Sequence, residues 1–169
     1  MVYQVVLVIT LFGAGLAAGL FFTFTVLIIP GLVNAEHRLA LRGFQAIDRR
    51  LQPTTTSVDW QPAFGAVLFG TSILTVATAV LGWPHVTPAG RALAVAAAAF
   101  YNVGCWWPTL ATILPFNNRV RDIDLDTVGS AELETLYRDF RRNWSGWNLV
   151  RTGSSAAAFA LLIALVAVG

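Results

Sequence analysis

The chain has 169 residues, of which 56% are hydrophobic and only 12% charged, a balance that excludes an ordinary soluble domain. The formal net charge is +2 and all eleven basic residues are arginine, so no lysine-rich patch or tail points to DNA or RNA. Cys105 is the single cysteine, which excludes an intrachain disulfide or a thiolate metal cluster within one chain and reads as a small apolar filler.

The first charged side chain is Glu36, and the apolar run from Val5 to Ile29 is long enough to cross ~30 Å of hydrocarbon at ~1.5 Å per residue. Met1-Val2-Tyr3-Gln4 lacks the basic region of a cleavable signal, so the run is expected to stay as a first span over 5–30, with Pro30-Gly31 as its stop. Gly15 and Gly19 form a G-x-x-x-G face on which another helix packs closely, either within the chain or from a second copy of it.

From Asn34 to Asp59 the chain turns polar. Ala40, Phe44, Ile47 and Leu51 recur at helical spacing, which predicts an amphipathic helix lying at the membrane interface. A second span is expected over 60–83 and a third over 92–114. The short turn through Pro84, His85 and Pro88 makes the two antiparallel neighbours. Pro108 is expected to kink the third span or free carbonyls near it.

The connection from Pro115 to Arg151 is polar again, with a helix expected from Ser130 that runs on into a last span over 150–168. Together these elements predict an all-α fold, a bundle of four transmembrane helices in one domain over 1–169. The two long connections carry ten of the eleven arginines, and Arg91 alone lies on the other side. The positive-inside rule then places both long connections in the cytoplasm and both termini outside, in a plasma membrane expected to be bacterial.

On a helical wheel, Leu133, Tyr137, Phe140, Trp144, Asn148, Arg151 and Ser155 fall within about 40° of one line. One face is therefore aromatic, becomes an amide and a guanidinium at the membrane boundary, and turns apolar again at Ala158 and Leu162. Trp and Arg at such a boundary also serve as interfacial anchors, but an anchor points to lipid, whereas this stripe is the one that should pack inward. His37, Asp48 and Asn117 are expected at the same depth. Asn102 is expected near the midplane, as helix-to-helix glue or as the floor of a cavity.

His37 and His85 are expected on opposite sides of the membrane, so they cannot hold one haem or metal ion between them. No phosphate loop, G-x-S-x-G or H-E-x-x-H occurs. What remains is an aromatic pocket with amides, one arginine and one or two bases. Trp144 and Trp147 would stack on a flat apolar ligand, with Tyr137 on the same wall, while Asn117, Asn148 and Arg151 would bind an oxyanion.

The stretches "IIPGL", "FQAIDRRLQ", "LPFNNRV" and "WSGWNLVRT", in this order, resemble the small four-helix membrane family that includes the fungal anthrone oxygenases. That family's pattern has a proline and an asparagine after the third helix, matched by Pro115 and Asn117, and opens its last helix with W-x-x-x-H-x-x-R. Trp144 and Arg151 match this opening, but Asn148 stands at the histidine position and Asp48 where asparagine is expected. The resemblance implies an oxygenase that inserts O2 into an apolar aromatic substrate of anthrone type with no recognised metal or flavin. Because Asn148 cannot act as a base, that role passes to Asp48 or His37. The alternative is a membrane protein without catalysis, either a carrier of a small apolar molecule or a subunit that packs on a partner.

Overall fold

The computed structural model describes residues 1–50 and 61–168. Leu51, Asp59 and Trp60, assigned above to helices or to their ends, lie outside the described residues. The described residues fold as five helices, which we number α1 (Val2–Val33), α2 (His37–Arg50), α3 (Gln61–Gly82), α4 (residues 88–122) and α5 (Ser130–Val168). No strand occurs among them.

α1 does not stop at Pro30-Gly31 but runs on to Val33. A proline inside a helix lacks an N–H and crowds the carbonyl one turn back. Here the wide π-helical turn Phe24–Ile28 sits immediately before Pro30 and absorbs the misfit. The same device recurs twice in α4, with π turns over Asn102–Trp106 ahead of Pro108 and over Thr109–Ile113 ahead of Pro115. Thr109 and Thr112 donate their hydroxyls to the carbonyls of Cys105 and Pro108, at 2.6 and 2.7 Å, and so satisfy backbone groups that the irregular turns loosen. α4 thereby stays one helix through two prolines, and the carbonyls expected to be freed near Pro108 are taken up by these hydroxyls.

At the other end of α4, the Thr87 hydroxyl accepts from the Gly90 N–H at 3.1 Å, with Pro88 in the first turn, a favourable start for a helix. α2 begins at a Glu36 carboxylate that accepts from the N–H groups of Arg38 and Leu39, at 3.0 and 3.1 Å. Those two bonds hold the Glu36 carboxyl below the usual carboxylate range.

The four long helices close into a ring in which α1 packs on α3, α3 on the first half of α4, α4 on α5, and α5 on α1. By length and composition three of them are able to cross a membrane: Val2–Val33, Ala63–Gly82 and Ser130–Val168. The chain is thus an all-α helical membrane protein. The expected fourth span over 92–114 is part of the ring but does not join those three, since Asn102, Trp106, Trp107 and Pro108 dilute its apolar run.

The apolar face of α2 is buried, as the spacing of Ala40 and Phe44 requires, but it is not laid on lipid. Ala40, Leu41 and Phe44 pack against Ile113, Phe140 and Trp144, so the amphipathic helix caps the arginine-rich end of the bundle. At the opposite end Leu7, Ala14, Ala94, Ala97, Leu162 and Leu165 form a tighter core. Gly15 serves packing within the chain, facing the Phe159 ring, whereas Gly19 faces open space.

Candidate functional site

Between the two cores lies a cavity of about 480 Å³. Three of the π-helical turns contribute to its wall, through Phe24 of α1, Thr109 and Ile113 of α4, and Trp144 of α5. A π turn widens its helix and re-aims the side chains around it, and such turns recur at functional sites. The turn Phe140–Trp144 precedes no proline; there the Ser145 hydroxyl donates to the Phe140 carbonyl at 2.8 Å and holds the widened turn.

At the arginine-rich end, the wall is a buried polar network. Asp48 is 3% exposed. Arg121 donates from Nε to its Oδ2 at 2.7 Å, with Nη2 in ion-pair contact with the same oxygen at 2.7 Å, and Asn117 Nδ2 donates to its Oδ1 at 2.8 Å. Trp144 Nε1 in turn donates to Asn117 Oδ1 at 2.9 Å, which fixes the way round of the amide. Around this network Phe44 packs against Phe116, Phe140 and Trp144 with ring centroids 5.1 to 5.7 Å apart. Rings at such distances attract each other edge to face, so the end of the cavity is both aromatic and rigid.

One and two turns deeper on α5 lie Asn148 and Arg151. Asn148 donates to Thr25 Oγ1 at 2.9 Å and lies 3.5 Å from the Phe21 carbonyl, while its Oδ1 has no partner among the described residues. Thr152 braces the same spot, contacting Thr25 Oγ1 at 2.8 Å and donating to the Phe21 carbonyl at 3.0 Å. Arg151 is 7% exposed, and among the described residues its guanidinium makes neither an ion pair nor a hydrogen bond; Nε is buried without a partner. The guanidinium lies over the Phe21 ring, whose centroid is 4.1 Å from Cζ. A cation over an aromatic face gains roughly 0.5–2 kcal/mol, less than it costs to bury an unpaired charge. A cation in that condition beside a cavity has the chemistry to receive an anionic atom.

Of the residues singled out from the sequence, Asp48, Asn117, Trp144, Asn148 and Arg151 therefore meet around one cavity. The other four lie elsewhere. His37 stacks on Tyr137 at 3.8 Å and pairs with Glu134 at 2.9 Å on the solvent-facing side, away from the cavity. Tyr137 donates its hydroxyl to the Val33 carbonyl at 2.8 Å, tying α5 to the end of α1. Trp147 is 37% exposed and points outward, as an interfacial anchor does. Asn102 accepts from Ser72 and donates to Thr75 Oγ1 and the Ala98 carbonyl, at 3.1 and 2.8 Å, which makes it glue between α3 and α4.

Arg121, Thr25, Thr152 and Phe21 were not singled out in the sequence. Arg121 carried a signal, standing one turn after Asn117 on the same helix face, as Thr152 stands one turn after Asn148. Among the described residues no three His, Cys, Asp or Glu side chains come together to hold a metal ion.

The sequence profile of a family described as anthrone oxygenase matches residues 60–161. The chain belongs to the anthrone oxygenase family. No curated protein and no solved structure matches it. The stretch matched to the anthrone oxygenases holds Asn117, Trp144, Asn148 and Arg151, while Phe21, Phe24, Phe44 and Asp48 come from helices that precede it.

Proposed function

We propose that the protein is a membrane oxygenase that uses O2 to oxidise an apolar aromatic substrate of anthrone or phenol type, bound in the cavity of about 480 Å³. The observation that carries this reading is the buried guanidinium of Arg151, unpartnered among the described residues, beside Asn148 in a mostly apolar hollow. A flat substrate fills the space between Phe21, Phe24, Phe44 and Trp144. Its carbonyl or phenolic oxygen lies toward Arg151, where charge develops when the substrate ionises.

Asp48 is the carboxylate that lines the cavity, and its Oδ1 accepts from Asn117 alone among the described residues. It takes the base role that Asn148 cannot fill and that His37 is too far out to fill. In the proposed reaction, Asp48 accepts a proton from the methylene carbon and the electron pair passes to the oxygen at Arg151 as an enolate. The enolate gives one electron to O2, and the carbon radical and superoxide combine to a peroxide. The peroxide regains the proton from Asp48 and eliminates water. One oxygen atom ends in the new carbonyl and the other in water, so the balance needs no external reductant. The chain supplies an apolar site, a fixed cation and a proton acceptor, with O2 as co-substrate and no resident cofactor called upon. The four-span topology with cytoplasmic long connections belongs to the same proposal, and puts Asp48 and Arg121 at the inner leaflet.

Oxygen consumption by protein purified in detergent, with a panel of anthrones and hydroquinones, tests the reading. Wild type is expected to consume O2 in proportion to anthrone, Arg151→Ala to lose ~10²–10³ in kcat/KM, and Asn148→Ala to lose less. Full activity in Arg151→Ala removes the proposed site. Tight binding of the same compounds with no O2 uptake in wild type favours the carrier alternative.

A further inference from the structure

How an apolar substrate reaches a cavity closed by aromatic rings is written in the seam between α3 and α4. The two helices pack together over residues 88–101 of α4, and the seam is last tied by Asn102 to Ser72 and Thr75 and by the Tyr101 hydroxyl to the Leu68 carbonyl at 3.3 Å. The Phe69 and Trp106 rings, 4.3 Å apart, meet one turn further on. Beyond them the helices diverge, and Phe64 and Gly65 of α3 face Thr109, Ile113 and Leu114 of α4 across the cavity.

Two of the lining residues also reach the outer surface: Phe69 is 60% exposed and Leu114 is 39% exposed. Their outward neighbours Ile73, Trp107 and Leu110 are exposed apolar side chains, the kind of surface that acyl chains cover. Among the described residues no charged side chain lies on this rim. The aqueous end is different, because Phe44, Phe116, Phe140, Trp144 and the Asp48–Arg121 pair fill it among the described residues.

Gly65 stands in the middle of the gap. A Cβ placed there would meet nothing within 4 Å among the described residues, whereas a Cβ at Gly13, Gly82 or Gly104 would collide with Thr71, Tyr3 or Ser154. Those three glycines let helices touch; Gly65 does not. Glycine in a helix interior costs stability relative to alanine, and at this position it leaves space that no described residue fills.

We infer that the cavity fills sideways from the membrane, through an opening between α3 and α4, and that Gly65 sets the width of that opening. The occupant is the apolar aromatic substrate of the proposed function, on which the inference rests for its identity. An apolar molecule dissolved among acyl chains then enters without crossing the charged end of the bundle, and its ionisable oxygen meets Arg151 only once inside.

The test reads access and not turnover, so it stands or falls apart from the oxygenase reading. Thr109→Cys in a Cys105→Ala background, reconstituted in liposomes, places one thiol on the cavity wall. N-phenylmaleimide, which partitions into acyl chains, is expected to label it at least tenfold faster than a charged, water-soluble methanethiosulfonate. Adding Gly65→Trp is expected to slow labelling tenfold or more. Gly70→Trp, also in open space but away from the cavity lining, leaves labelling unchanged. If Gly65→Trp fails to give a monodisperse, helical protein, Gly65→Leu replaces it with a smaller slowing expected. Labelling that favours the charged reagent, a thiol that reacts with neither until denatured, or a Gly65→Trp rate no lower than that of Gly70→Trp overturns the inference.

Discussion

Two asparagines, Asn102, which is half-buried, and Asn148, which is buried, sit on neighbouring helices of the same bundle and end differently. Asn102 has both halves of its amide engaged, with Ser72, Thr75 and the Ala98 carbonyl. Asn148 spends only its N–H group, on Thr25 and Phe21, and leaves its oxygen without a partner among the described residues. The first lies where α3 and α4 close on each other, the second where they have parted. A polar group inside a membrane bundle is structural when its partners are complete, and is available to a ligand when they are not.

The largest effect should come from the polar network that closes the cavity. Asp48→Ala leaves Arg121 with its fork unpaired in a mostly buried place, and a loss of about 3–5 kcal/mol in unfolding free energy is expected in detergent. A loss below about 1 kcal/mol would show the pair to be solvated and the end of the cavity loose. Next comes the cation without a partner. Arg151→Met should melt no lower than wild type, because it removes an unpaired buried charge, while kcat/KM falls by ~10² or more. A clear drop in melting temperature would mean that Arg151 is structural after all.

The two asparagines supply the sharper pair of variants. Asn102→Ala should cost about 1 kcal/mol of stability and leave O2 uptake unchanged. Asn148→Ala should cost little stability and about tenfold in O2 uptake, the worth of one hydrogen bond to a charged atom. If both variants lose stability alike and neither loses activity, the distinction drawn between them fails.

The smallest effect concerns Glu36, whose carboxyl is held below its ordinary value of 4.5 by the N–H groups of Arg38 and Leu39. A carboxyl depressed in the folded state stabilises it fully above that ordinary value, and the contribution is lost as pH falls through the folded value. Thermal midpoints of wild type and Glu36→Ala should therefore differ at neutral pH and converge under acid.

Much of this was legible in the chain. The inward stripe on α5 could be drawn on a wheel because helical period and burial coincide there, and Tyr137, Phe140, Trp144, Asn148, Arg151 and Ser155 are all buried. The amphipathic period of α2 was equally plain, but what covered its apolar face was not, since lipid and a protein core look alike to a hydropathy pattern. Pro30-Gly31 read as a stop, yet a π turn carries α1 on to Val33; local sequence does not show that a widened turn will absorb the misfit, whereas the loosened carbonyls expected near Pro108 are met by the hydroxyls of Thr109 and Thr112.

Among the candidate site residues, depth in the membrane was readable and direction was not. His37, Tyr137 and Trp147 lie near the depth of the cavity end but face solvent, α1 or the outside, because a few tens of degrees of rotation decide between interior and exterior. By itself the sequence determined that the chain is helical and membrane-embedded, where its polar residues concentrate along the helices, and which face of α5 turns inward. These follow from composition and period alone. Only the tertiary structure decided that α3 and α4 part beyond Asn102, that Asp48 is claimed by Arg121, and that Arg151, lying over an aromatic ring, makes no hydrogen bond or ion pair among the described residues. Those outcomes depend on contacts between residues far apart in the chain, and a pattern within one helix carries no information about what stands opposite it.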